Sequence, residues 1–142
     1  MIRVLDASMA LAWLFKRVDP AEAVLADKAL EELSTVKATV PSIWYAEVAN
    51  AVLRGERQGV VQATQTAFFI SDLSQAEIET DEQSPRTRQA SVLDLARTHG
   101  LTAYDATYLE LAMRRAAVLA TFDRKLAGAA RAAGVRVFGD PA

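Results

Sequence analysis

The sequence predicts an α/β fold in which a parallel sheet is covered by helices on both faces. Short apolar runs alternate with longer helical segments through the 142 residues. Parallel strands need a crossover of this kind between them, and a sheet buried on both faces reads as continuous apolar runs. Pro and Gly punctuate the helices at the positions where starts and stops tolerate them. A chain 51% hydrophobic and 24% charged can bury a sizeable core, so residues 1–142 read as a single domain.

The elements follow in order. Residues 2–5 (IRVL) form a short strand and 7–15 a buried helix. Pro20 opens a helix to about 34, and 38–40 (ATV) is a second strand. Ser42 caps a helix from 43 to about 56, ended by Gly55 and Gly59, and 60–73 forms another. Residues 76–79 (AEIE) make a weak strand. In "SPRTRQASVLDLARTHG" Ser84 is the N-cap, Pro85 the first helical residue and Gly100 the stop. Helix 103–115, strand 117–120 (AVLA), helix 123–133 and a last strand 135–138 (VRVF) complete the chain. There is no internal repeat, low-complexity tract or linker.

Composition removes several functional classes. Without cysteine there is no disulfide or thiolate metal site, and one histidine, His99, argues against a zinc site or a Ser-His-Asp triad. His99 precedes Gly100, where a histidine serves a helix end. Residues 1–15 are apolar but contain Asp6, which fits neither a signal peptide nor a membrane span; the cytoplasm is the expected location. A net charge of −2 creates no global field for nucleic acid, although twelve of the 16 basic residues are Arg, suited to bidentate phosphate contacts.

In such a fold the ligand crevice lies beyond the carboxyl ends of the strands. Asp6 follows the first strand and Asp123 the strand at 117–120, so both belong to that edge. Each could instead simply cap a helix. At about 100° per residue, Asp105 lies with Leu109, Ala112 and Met113, opposite a polar face of Thr107, Glu110 and Arg114. An inward acid gains only ~0.3–1 kcal/mol from the helix dipole, less than its desolvation costs. Glu47 shares a stripe with Asn50 and Arg54, either solvated or forming the polar wall of a cleft. Carboxylates ~4 Å apart repel by about 4 kcal/mol at an effective dielectric near 20. A cluster must take up protons or a cation, and all-oxygen ligation favours Mg²⁺ or Mn²⁺, ions of phosphoryl chemistry.

Four segments carry a family resemblance: "VLDASMALAWLF" with Asp6, "PSIWYAEVANAVLR" with Glu47, "LTAYDATYLELA" with Asp105 and "LATFDRKL" with Asp123. Together, in this order and spacing, they resemble the PIN-domain ribonucleases, in particular the VapC-type toxins of toxin–antitoxin pairs. The resemblance spans essentially the whole chain; residues 57–83 contribute least. It implies a Rossmann-like three-layer α/β/α domain and cleavage of RNA phosphodiesters with one or two Mg²⁺ or Mn²⁺ ions. The family's acidic positions carry over to Asp6, Glu47, Asp105 and Asp123, with Asp6, Asp105 and Asp123 as metal ligands and Glu47 as ligand or base. Ser8, Asn50 and Thr121 match supporting positions. Arg54, Arg86, Arg88, Arg114, Arg115, Arg124 and Lys125 are candidates for the RNA backbone, although solvated surface charge is the simpler account of each. The implied partners are a small antitoxin covering the acidic cleft and a second copy of the chain, giving a homodimer or a toxin–antitoxin hetero-oligomer. Helices 43–53 and 60–70, including "AFFI" (67–70), could supply those surfaces or serve as core.

Two other readings use the same residues. An inactive binding module of this fold would keep the acids as helix caps. An aspartyl-phosphate phosphohydrolase would use Asp6 as nucleophile, but such phosphatases normally carry a second aspartate two residues later, where this chain has Ser8.

Overall fold

The computed structural model describes residues 1–141. Four parallel strands, β1 (Ile2–Leu5), β2 (Lys37–Val40), β3 (Ile78–Thr80) and β4 (Val118–Ala120), form a sheet in the order β3-β2-β1-β4. Between them run α1 (Ala7–Leu11), α2 (Pro20–Glu31), α3 (Ile43–Arg57), α4 (Ala63–Gln75), α5 (Pro85–His99) and α6 (Ala103–Arg114), and α7 (Arg124–Ala132) follows β4. Right-handed crossovers put α1 to α4 on one face and α5 to α7 on the other, giving three layers. The chain moves outward from β1 to β3 and then returns to the far side of β1. That reversal makes the β1/β4 boundary the switch point where crevices form.

Both faces bury apolar side chains. Met9, Trp44, Val48 and Val52 pack on one side, and Tyr108, Leu109, Leu111, Leu126 and Ala130 on the other. Among the described residues no helix is long and apolar enough to cross a membrane.

Several expected boundaries move, each for a local reason. The first helix stops at Leu11 rather than residue 15, and bonds such as Trp13 N–H to the Ala10 carbonyl tighten the following turns. There the Trp13 indole donates to the Ala26 carbonyl at 2.9 Å. Ser42 does not cap α3: its backbone is already helical and its side chain makes no cap bond. Gly55 does not end that helix but lies inside it, where an added Cβ would stand 2.7 Å from the Phe15 ring. Gly59, with φ of 72°, marks the actual reversal. The next helix begins at Ala63, where Gln65 Oε1 accepts from the Gln62 N–H. The final strand 135–138 is reduced to one bridge, Leu119 to Val137, before Gly139 turns the chain at φ of 97°.

The polar face of α6 is not solvated as its pattern suggests, because α5 packs over it. Glu110 is buried, whereas Met113, expected inside, is exposed. Arg114 resolves the charge. It donates to both oxygens of Asp81 at 3.1 and 2.6 Å and to both oxygens of Glu110 at 2.9 and 3.0 Å. Burial pushes the Asp81 carboxyl up, but the Arg114 hydrogen bonds prevail and hold it below the ordinary range.

Removing Arg114 would leave Asp81 without its hydrogen-bonded cation and Glu110 with only the long Arg88 contact at 3.5 Å, so Arg114→Leu is expected to cost about 3 kcal/mol in urea denaturation at pH 7. Asp81's contribution is present above its unfolded-state pKa and is lost as pH falls through its depressed folded-state value, so the deficit should shrink in acid. A variant as stable as wild type at pH 7 would contradict this account.

Candidate functional site

Asp6 occupies the N-cap position of α1 yet makes no capping hydrogen bond. Its carboxylate is buried and accepts at Oδ2 from Ser8 Oγ at 2.7 Å and from Thr121 Oγ1 at 2.6 Å. The capping account of Asp6 therefore gives way to a different one. Ser8 Oγ also accepts from the Phe122 N–H at 3.0 Å, and Thr121 Oγ1 accepts from the Asp123 N–H at 3.0 Å. The Asp6 N–H donates to the Ala120 carbonyl at 3.0 Å. Two hydroxyls thus clasp the β1–α1 turn to the β4–α7 turn around one carboxylate.

Asp123 does cap α7, accepting at Oδ1 from the Leu126 N–H at 2.8 Å. Asp105 is half-buried in the first turn of α6, where Thr102 Oγ1 accepts from its N–H at 3.1 Å. Glu47 is half-buried on α3 and accepts at Oε1 from the Tyr108 hydroxyl. Tyr108 was absent from the expected set. It stands one turn beyond Asp105 on the same side of α6, and a buried tyrosine hydroxyl requires a partner. That requirement was the signal for it; the partner's identity was not readable.

The four acids are electrostatic neighbours. Burial, opposed by the Thr121 and Ser8 hydrogen bonds, pushes Asp6 above the ordinary carboxylate range, with a further rise from Asp123. Burial also raises Glu47, against the Tyr108 bond, with Asp6 and Asp105 adding to the rise. Asp105 is raised by burial and then by Asp123 and Asp6. Burial pushes the Tyr108 hydroxyl up as well, and its bond to Glu47 keeps its proton on.

Among the described residues, ion pairs within 4.0 Å engage Glu22, Glu32, Glu79, Asp81, Asp94, Glu110 and Asp140, and none engages these four acids. Nor do three or more Asp, Glu or His side chains of the described residues already form a closed ion-binding group. The acids act on one another electrostatically without being gathered into such a group among the described residues. Asp6, Glu47 and Asp123 each have one oxygen held by a hydroxyl or backbone donor. A cavity of about 560 Å³ lies elsewhere, lined by Thr35, Lys37, Glu77 and Glu79 at the opposite end of the strands. Size therefore does not locate the acidic cluster.

The other expected residues divide. Asn50 and Arg54 are exposed, with no hydrogen bond to the acids. Arg86, Arg124 and Lys125 are exposed, and Lys125 acts electrostatically on Asp105. Arg114 is committed to Asp81 and Glu110 by short hydrogen bonds, and Arg115 stands 3.8 Å from Glu79. Arg88 stands 3.5 Å from Glu110. One basic residue was missed: the Arg17 guanidinium lies 4.7 Å from the centre of the Phe122 ring, beside Asp123. That contact joins segments over a hundred residues apart and had no local signal.

Comparison with known proteins agrees with this architecture. Residues 3–132 match the family described as PIN domain. Among solved structures, PAE2754 from Pyrobaculum aerophilum is similar with a TM-score of 0.70 and 21% identity, over 91% of this chain and 84% of that one. FitAcB from Neisseria gonorrhoeae is similar with a TM-score of 0.62 and 22% identity, over 98% and 97% of the two chains. VapBC2 from Rickettsia felis, bound to a DNA fragment from their promoter, is similar with a TM-score of 0.59 and 15% identity, over 87% and 88%. No curated protein matches the chain.

The unpaired acids cost stability when ionised. A carboxylate raised in the folded state stabilises below its unfolded-state pKa, and that contribution is lost as pH rises through the folded-state value. In EDTA, this contribution to Tm should therefore fall as pH rises from about 4, the unfolded-state carboxylate range, towards 7.5. Asp6→Asn should raise Tm at pH 7.5 by about 3–4 °C for each kcal/mol recovered and flatten the pH dependence. A lower Tm for the variant by differential scanning calorimetry would refute the electrostatic cost.

Proposed function

The chain belongs to the PIN-domain family, and from that premise we propose that it is a metal-dependent endoribonuclease serving as the toxin of a toxin–antitoxin pair, with residues 1–142 forming one PIN domain. The observation that supports this most strongly is the set of four carboxylates, at the ends of β1 and β4 and on the flanking helices, which no basic side chain neutralises. Buried acids elsewhere in the molecule have such partners. Uncompensated negative charge at a switch point suits a cation.

The donor chemistry fits Mg²⁺ or Mn²⁺: all oxygen, without imidazole or thiolate. Such ions keep several waters and use few carboxylates, which fits a ring that is not closed. Asp6, Asp105 and Asp123 would hold the ion or ions, and Glu47 would complete the ring. A divalent ion bound there supplies Lewis acidity at a phosphoryl oxygen and activates water for attack. Ser8 and Thr121 fix one Asp6 oxygen and so set the direction of the other. Tyr108 does the same for Glu47, whose remaining oxygen can bind the ion or accept a proton from the attacking water. Arg86, Arg88, Arg124 and Lys125 are available to contact an RNA backbone, whereas Arg17 is held by Glu22 at 3.2 Å.

Apolar side chains on α3 and α4 support the partner reading. Phe68 is 74% exposed, and Tyr45, Leu53 and Ile70 are exposed near it in sequence or along the same two helices, whereas Trp44 and Phe69 belong to the core. We assign this surface to a second copy of the chain and, on the toxin–antitoxin reading, the acidic cleft to a small antitoxin.

Wild type is expected to cleave single-stranded RNA with Mg²⁺ or Mn²⁺ and to stop in EDTA, while Asp6→Asn should lose at least ~100-fold in rate without unfolding. Equal cleavage by the variant, or cleavage unaffected by EDTA, would defeat the nuclease proposal. Size-exclusion with light scattering should show a dimer at micromolar concentration that Phe68→Ser weakens at least tenfold. A monomeric wild type would remove the homodimer.

A further inference from the structure

Beside the acidic cleft, on the same edge of the sheet, lies a cavity of about 220 Å³ that the proposed chemistry does not use. Its walls include Ser42 after β2, Asp81 after β3, Arg86 and Arg88 from the first turns of α5, and Glu110 of α6. We propose that this cavity is a phosphate subsite for a nucleotide next to the scissile bond, with Arg88 as its principal contact.

Charge accounting in the cavity leads to this assignment. Arg114 alone satisfies both oxygens of Asp81 and both of Glu110. Arg88 is left with one long contact, Nη1 to Glu110 Oε2 at 3.5 Å, on an oxygen that Arg114 Nε already engages at 2.9 Å. Arg88 Nε is buried and has no hydrogen-bond partner. A buried donor without an acceptor costs about 1–3 kcal/mol, so the site favours a ligand that supplies one. Arg86 and Arg88 line the cavity with Asp81 and Glu110, and because Arg114 behind the lining already pairs both carboxylates, positive charge is in excess. Arg86 is exposed at the mouth, and the Ser42 side chain makes no capping bond, so both are available to an entering anion. A planar guanidinium beside a hydroxyl is a donor set for phosphate.

Placement selects the source of the phosphate. In the order β3-β2-β1-β4, the cavity stands over the ends of β2 and β3, while Asp6 stands at the end of β1. Neighbouring strands are ~4.8 Å apart, which puts the cavity roughly 5–10 Å along the edge from the acidic ring. A strand whose scissile phosphate lies at the ring passes the cavity with an adjacent one. The subsite thus rests on the nuclease reading and adds a point of grip that sets the register of the chain being cut.

Two measurements test it and separate its failure from that of the nuclease reading. In ¹⁵N-labelled protein in EDTA, titration with adenosine 3′,5′-bisphosphate should move the Arg88 Nε–Hε resonance saturably, more strongly than inorganic phosphate, and succinate should leave it in place. A resonance unmoved by the bisphosphate would overturn the subsite. Equal movement by succinate would also overturn it, pointing to a carboxylate of a protein partner. In cleavage assays, Arg88→Ala should raise KM about tenfold, with the loss confined to KM. It should also reduce the slope of log KM against log salt by about 0.7, the loss of one phosphate contact on a single strand. Arg88→Lys should restore most of the salt slope. Unchanged KM and salt slope in a folded Arg88→Ala would refute the assignment. If wild type cleaves no RNA, the nuclease reading falls, and the titration decides the cavity by itself.

Discussion

One carboxylate organises the molecule: Asp6 is buried at the end of β1, and two hydroxyls from turns 113 residues apart, Ser8 and Thr121, hold it there. A buried carboxylate costs several kcal/mol unless hydrogen bonds or opposite charge meet it. Here hydrogen bonds meet it and charge does not. The same hydroxyls accept from the Phe122 and Asp123 N–H groups, so the clasp also fixes the turn that presents Asp123. The β1/β4 pairing, and the Asp6 N–H bond to the Ala120 carbonyl, make that convergence possible.

The protein treats its buried acids in two ways. Asp81 and Glu110 are neutralised by Arg114, and Glu32 by Arg3 at 2.8 Å. These pairs join α6 to the end of β3 and β1 to the end of the α2 segment, and each buried charge has a partner within the fold. Asp6, Glu47, Asp105 and Asp123 have no such partner, and burial and mutual repulsion raise three of them. A fold selected for stability alone would pair or replace these residues. Their unpaired charge is the physical ground on which we propose a cation and phosphoryl chemistry here. Arg88, largely spared by Arg114, supplies the complementary excess on the same edge.

Much of the architecture was legible along the chain. Alternating strands and helices, with Ser84-Pro85 at a start and Gly100 at a stop, are local signals, and Ser84 does accept from the Arg86 N–H while Gly100 turns in the left-handed region at φ of 64°. Other local signals misled where packing overrode them. The polar stripe of α6 reads as solvated, yet α5 covers it and Arg114 settles the charge. The apolar run at 135–138 reads as a strand, yet a single bridge precedes the Gly139 turn.

The sequence by itself determined which residues sit at strand ends and that Asp105 turns away from the polar stripe of α6, because both follow from short-range periodicity and capping, while the face of Glu47 stayed open. It placed Asp6 and Asp123 on one edge before any contact was known. Only the tertiary structure decided what each charged or polar group meets: Tyr108 on Glu47, Arg17 over Phe122, Arg114 between Asp81 and Glu110, and Arg88 left with a buried, unpartnered nitrogen. Apart from the Glu110–Arg114 contact, one turn apart on α6, those pairings join elements remote in the chain. Strand order and helix packing set their distances, and no local pattern encodes them.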